Sequence, residues 1–168
     1  MDLDNLNILY KVDHVSKIFS KKYILNDISF TIKSRNIFGI IGSSGSGKTT
    51  LLNLLIGYLK PDKGEVYYKD LHLVDVNNPE AFLSVKKHLN ELKKFYGFAA
   101  QKPSFYPTLT VNENLRYFGA LYNLSRESIK LNTNNLLSLM SLKQSQHVLA
   151  KNLSGGMQRR LDIACALI

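Results

Sequence analysis

Apolar and polar residues alternate from Tyr10 to Phe19 and again from Ile24 to Ile32, the two-residue period of half-buried strands. A continuous apolar run, Ile37 to Ile41, then meets Gly42 and predicts a buried strand. Past a Gly/Ser-rich loop, Lys48 to Ile56 is apolar and predicts a helix. Pro61, Asp62, Lys63 and Gly64 predict a turn, and Glu65 to Lys69 another strand. Pro79 and Glu80 predict the start of a helix carrying Phe82, Val85, Leu89 and Leu92 at helical spacing. Tyr96 to Ala100 then predicts a short strand ending at Gln101.

From Pro103 onward the pattern changes. Thr110-Val-Asn-Glu113 is a capping-box pattern, which predicts a helix running to about Tyr122. Ser125 and Ser138 flank a second helical stretch, and strand signals largely vanish. A strand-rich first hundred residues followed by a helical segment predicts an α/β core with a helical lobe. No internal repeat or low-complexity linker interrupts it.

Composition narrows the class. Hydrophobic residues make up 45% and charged residues 21% of 168 residues, ordinary values for a chain that buries a core. The densest apolar stretch, Leu51 to Leu59, is broken by Asn53 and Gly57 and is too short to span a membrane. The N-terminus is acidic where a secretory signal is basic, and the single Cys165 makes neither an internal disulfide nor a thiolate metal site. A reducing, cytoplasmic setting follows. The net charge of +9 suggests an anionic partner such as nucleic acid, a lipid surface or a phosphorylated ligand. That charge is spread along the chain, and the pairs Lys21–Lys22, Lys86–Lys87 and Lys93–Lys94 lie among apolar residues, as on solvated faces. No nucleic-acid partner is expected.

Residues Gly42 to Thr49 read G-S-S-G-S-G-K-T, the phosphate-loop pattern G-x-x-x-x-G-K-[ST]. A nucleoside triphosphate is a compact polyanion, and consecutive inward-pointing backbone N–H groups make a concave site for it. Gly45 and Gly47 permit close backbone approach, and the following helix presents unpaired N–H groups and its positive dipole end. Lys48 reaches the β- and γ-phosphates, and Thr49 places a hydroxyl on Mg²⁺. The candidate nucleotide contacts are therefore Gly42, Ser43, Ser44, Gly45, Ser46, Gly47, Lys48, Thr49 and Thr50. Kinases, GTPases and motor proteins share this loop.

A second motif, Leu153-Ser-Gly-Gly-Met-Gln158 followed by Arg159 and Arg160, resembles the signature motif of ATP-binding-cassette (ABC) ATPases. Ser154 caps a predicted helix whose N-terminus, at Gly155 and Gly156, offers a second anion site, and Met157, Leu161, Ala164 and Ile168 line one face. Other landmarks agree in order. Gln101 in Y-G-F-A-A-Q is similar to the Q-loop glutamine, which in the family contacts Mg²⁺ and the attacking water and senses the membrane partner. F-Y-P-T-L-T-V-N-E-N-L resembles the family's continuation. Phe19 matches the aromatic that stacks on adenine, with Tyr23 as the alternative. The resemblance implies a P-loop NTPase (RecA-like) α/β core with N-terminal antiparallel β elements and an ABC-type helical subdomain, incomplete at the C-terminus. Its divisions are residues 1–102 for the core, 103–155 for the helical subdomain and 156–168 for a signature helix returning to the core.

The resemblance also implies ATP and Mg²⁺ as cofactors and a head-to-tail partnership of two such domains. Ser154 and Gly156 of one close over the ATP held by Lys48 of the other, and Gly155 belongs to the same contact. A separate transmembrane permease is the third member, with this chain peripheral at the cytoplasmic face. N-E-N-L-R-Y-F-G-A-L-Y with M-Q-R-R resembles exporter-type subunits. Departures from the family are Arg35-Asn36 where Gly-Glu is usual, and a longer segment from Asp70 to Lys94. The family's Walker B Asp-Glu, D-loop and switch histidine would follow the signature, and the chain ends at Ile168. Leu71-His-Leu-Val-Asp75 mimics Walker B but lacks the Glu, Val76 standing there, and it precedes the Q-loop. His14, His72, His88 and His147 all precede the signature, so none matches the switch position. These residues alone are expected to bind ATP without splitting it and to be marginally stable. The leading reading is the ATP-binding subunit of an ABC transporter, coupling ATP binding and hydrolysis to transport across a membrane. Its competitors are a catalytically silent relic and a non-transport ABC ATPase.

Overall fold

The two alternating segments pair with each other. Strands β1 (Ile8–Phe19) and β2 (Lys22–Lys33) form an antiparallel hairpin in which Phe19 faces Lys22. Its two-residue turn places Ser20 at φ 48° and Lys21 at φ 65°, the left-handed conformation that matches the twist of the strands it joins. The computed structural model describes residues 8–69, 82–93 and 95–168, in two compact units, Met1–Phe95 and Tyr96–Ile168.

In the first unit, β3 (Lys63–Lys69) pairs with β1 and β4 (Phe82–Ser84) with β3, giving an antiparallel sheet in the order β2-β1-β3-β4. Two helices accompany it, α1 (Lys48–Leu55) and the short α2 (Leu89–Leu92). Buried residues come from the sheet (Val12, Val15, Leu25, Val66) and from α1 (Leu51, Leu54, Leu55).

The second unit is helical: α3 (Val111–Leu121), α4 (Arg126–Leu139) and α5 (Gly155–Leu167), with two short 3-10 turns between α4 and α5. The predicted capping box is present, with Thr110 accepting from the Glu113 N–H and Glu113 accepting from the Thr110 N–H. These bonds to Thr110 hold the Glu113 carboxyl below its usual range. Ser125 caps α4, its hydroxyl accepting from the Ser128 N–H. Leu115, Leu137, Leu142, Leu161, Ala164 and Cys165 share one fully packed core. Inside it, the Asn114 amide accepts from the Tyr106 N–H at 2.7 Å and donates to the carbonyls of Tyr106, Leu109 and Thr110. A buried amide with its hydrogen-bonding capacity used in this way pins the loop leading into α3.

Three expectations are corrected. Ile37–Ile41 is not a strand and is not buried, since Ile37 is 103% and Ile41 98% exposed. A strand needs a neighbour to complete its ladder, and none of the four described strands pairs with this run, although Phe38 stacks on Phe30 of β2 at 5.1 Å. Tyr96–Ala100 likewise does not form a strand. The predicted helix through Phe82 is instead strand β4, followed by a turn and then α2. Phe82, Leu83 and Ser84 find ladder partners in Lys69, Tyr68 and Tyr67, and Val85 continues the contact by donating to the Val66 carbonyl. Tertiary pairing overrides the helical spacing there. Pro79, Glu80, Leu71–Asp75 and His72 lie outside the described residues. Among the described residues no helix is long and apolar enough to cross a membrane.

Candidate functional site

The phosphate-loop residues come together in the first unit as a loop ending in the N-terminus of α1. The Lys48 ammonium donates to the carbonyls of Gly42 at 2.9 Å and Ser43 at 2.6 Å, so the loop closes around the cation. Gly47 is the N-cap of α1 at φ 93° and Gly45 stands at φ 79°, both in the left-handed region that side chains disfavour. A Cβ on Gly47 would also lie 3.0 Å from the Ile24 carbonyl oxygen and 3.0 Å from Leu25 Cδ2. Strand β2 therefore lies against the loop and sets its position.

No side chain caps α1 and no acidic residue occupies its first turn. Its leading N–H groups and positive dipole end are left for an external acceptor. Ser43, Ser44, Ser46 and Thr49 are exposed around them, and Thr50 is half-buried. An ammonium, uncapped N–H groups and hydroxyls without a carboxylate fit a phosphate chain. Phe19, at the end of β1, is 44% exposed with the Lys17 ammonium 5.3 Å from its ring centre. Tyr23, opposite Ile18 on β2, is comparably exposed.

The other predicted residues belong to the second unit. Ser154 caps α5, its hydroxyl accepting from the Met157 N–H at 3.4 Å. Gly155 and Gly156 are exposed, with nothing within 4 Å of where a Cβ would stand. As in α1, the first turn holds no acidic residue. Leu161, Ala164 and Ile168 are buried in the core and Met157 packs against it, as the spacing predicts.

Gln101 is exposed, while the chain on both sides of it is fastened to α5. Arg159 donates to the carbonyls of Ala99 and Ala100, and Asp162 accepts from both the N–H and the hydroxyl of Ser104 at 2.8 Å. Arg159 and Asp162 pair with each other at 2.9 Å, the carboxylate fully buried. Sequence reasoning missed this clasp. Its one visible signal is an Arg and an Asp three residues apart on a helix. Next to it Cys165 is pushed up to about 12, first by burial and then by the Asp162 charge, so its thiol is no nucleophile.

Residues 25–168 match the family described as ABC transporter. The chain belongs to that family. It is 33% identical over 156 residues to the spermidine/putrescine import ATP-binding protein PotA of Protochlamydia amoebophila, a match covering 93% of this chain and 38% of that one. It is 34% identical over 154 residues to the Nod factor export ATP-binding protein I of Bradyrhizobium diazoefficiens, covering 92% of this chain and 46% of that one. The chain thus spans less than half the length of these curated relatives. Its fold resembles cbiO1 from Clostridium perfringens, part of the ABC transporter complex cbiONQ, with a TM-score of 0.79 at 22% identity, over 96% of this chain and 61% of that one. A nucleotide-free ATP-binding cassette from an ABC transporter gives a TM-score of 0.75 at 25% identity, over 95% of this chain and 64% of that one. The α/β P-loop fold of ABC ATPases is therefore this chain's fold.

Proposed function

We propose that this chain is the ATP-binding part of an ABC transporter subunit that couples ATP binding and hydrolysis to movement of a solute across a membrane. The observation that carries this reading is the Lys48 ammonium held inside the loop at the uncapped N-terminus of α1. ATP sets its β- and γ-phosphates on Lys48 and the first-turn N–H groups, exchanging the carbonyl contacts of Lys48 for phosphate oxygens. Thr49 would hold Mg²⁺ by its hydroxyl, and that ion would neutralise phosphate charge; the family's second Mg²⁺ contact is proposed for Gln101. Phe19 stacks on the adenine.

The exposed Ser154, Gly155 and Gly156 serve the ATP of a second copy or a homologous domain, head to tail. The working division is a core over 1–102, a helical lobe over 103–155 and the signature helix from 156. A transmembrane permease is a separate partner, which places the subunit at the cytoplasmic face of the membrane. We read the direction as export from the residues around Asn114 and Gln158; the two relatives named above are one import and one export protein.

These 168 residues carry no Asp-Glu pair after the signature to hold Mg²⁺ and polarise water. We infer that these 168 residues by themselves bind Mg²⁺-ATP without splitting it. Phosphate release measured on the purified chain with Mg²⁺-ATP tests this: nucleotide retained without turnover is expected, and sustained Mg²⁺-dependent release would overturn it.

A further inference from the structure

The second unit carries eight basic residues against three acidic ones, and the acidic ones do little to balance them. Asp162 is buried in its pairing with Arg159, and Glu113 is engaged in the cap of α3. Glu127 sits in the first turn of α4. Much of the unbalanced charge gathers in one place. Helices α3 and α4 border a cleft of about 870 Å³. Arg116 lines it from α3, and Arg126 and Lys130, one helical turn apart, line it from α4.

No carboxylate lines this cleft, and the three cations form no ion pair among the described residues. Glu113 lies within electrostatic reach of Arg116 but outside the cleft lining, with one carboxylate oxygen, Oε2, accepting from both the N–H and the hydroxyl of Thr110. Like charges around one concavity repel one another and focus a positive potential into it. A second observation points the same way. Thr133 lines the cleft at 4% exposure, and its buried hydroxyl has no hydrogen-bond partner. Buried hydroxyls are rarely left unspent, and a χ1 rotation exchanges the hydroxyl with the methyl group of the same side chain. The cleft volume falls in the range of small-molecule sites, roughly 300–1,000 Å³.

We propose that the α3–α4 cleft binds a small polyanion bearing two or more phosphate groups, held by Arg116, Arg126 and Lys130 with Thr133 and Gln146 as neutral donors. The site lies wholly within the second unit and does not depend on nucleotide binding at Lys48. It gives the excess positive charge a chemical role beyond a solvated surface. The shared ligand chemistry is phosphate, whether of a free phosphorylated metabolite or of a lipid headgroup.

The test uses the full chain with Lys48→Ala, so that the phosphate loop does not contribute, and inorganic pyrophosphate followed by amide chemical shifts at physiological ionic strength. Saturable shifts confined to α3, α4 and Gln146 are expected, with affinity reduced about tenfold in Arg126→Gln/Lys130→Gln. Both positions are exposed, so that double variant keeps its fold, which circular dichroism verifies. A second arm measures co-sedimentation with vesicles of phosphatidylcholine and cardiolipin, whose headgroup carries two phosphates. Vesicle binding that pyrophosphate competes away and the double variant loses supports the site and identifies a headgroup as its source. Pyrophosphate binding without vesicle binding supports it and identifies a free ligand. No saturable binding of either probe, or binding unchanged in the double variant, overturns the proposal.

Discussion

Arg159 and Asp162 sit one turn apart on α5, 2.9 Å from each other, and grip the chain on opposite sides of Gln101. The helix that begins at Ser154 is thereby tied to the segment that carries Gln101, the residue proposed as the Q-loop glutamine. Removing Asp162 strands the Ser104 N–H and frees the Arg159 guanidinium from its partner.

Asp162→Ala is expected to destabilise the second unit by about 2–3 kcal/mol, the range for losing a buried charged hydrogen-bond acceptor. Urea unfolding measures the loss, and amide exchange shows where it falls. Faster exchange at residues 99–104 is predicted. Unchanged protection there would mean the clasp holds nothing.

Thr110→Ala removes the cap of α3 at a cost of roughly 1 kcal/mol by denaturant titration. The same site gives a pH signature. The folded Glu113 carboxyl is held below its unfolded value by the bonds to Thr110, so its contribution is present above the unfolded value. That contribution fades as the pH falls through the folded value. In Thr110→Ala the hydroxyl bond to Glu113 is gone, so stability should fall less steeply across that acidic window.

Cys165 is predicted to resist thiol reagents in the native chain and to react fully once unfolded. Burial and the Asp162 charge push its thiol up to about 12. Because the unfolded thiol ionises earlier, stability should decline as the pH rises above the ordinary cysteine value. Rapid stoichiometric labelling of folded protein by an iodoacetamide probe at neutral pH would contradict this.

Gly47→Ala combines a left-handed backbone at φ 93° with a methyl pressed on Ile24 and Leu25. A loss of roughly 1–2 kcal/mol is expected from the backbone alone. Thermal melts read the stability, and titration with ATP reads the loop. A variant as stable as the parent with undiminished ATP affinity would show that β2 does not set the loop.

Much of this was legible before any coordinates. The capping box at Thr110, the cap at Ser125, the α1 start after Gly47 and the buried face of α5 all rest on local rules, and each stands where those rules put it. The misread segments depend on what lies beside them. Ile37–Ile41 has the composition of a central strand without a ladder partner among the described residues, and Phe82 carries helical spacing but pairs with Lys69. The β1–β2 turn uses Ser20 and Lys21 where Asn-Gly is the usual signal, so its geometry is visible only in the dihedrals. The Arg159–Asp162 clasp spans more than fifty residues to reach Ala100 and Ser104, beyond any local pattern.

The central claim is that Lys48, at the mouth of α1, holds the phosphates of ATP. Isothermal calorimetry of Mg²⁺-ATP against the chain and against Lys48→Ala tests it most directly. Saturable binding by the parent, weakened by a factor of a hundred or more in the variant, is predicted, about 3 kcal/mol for a charge-assisted contact. Equal affinity in both chains would contradict it.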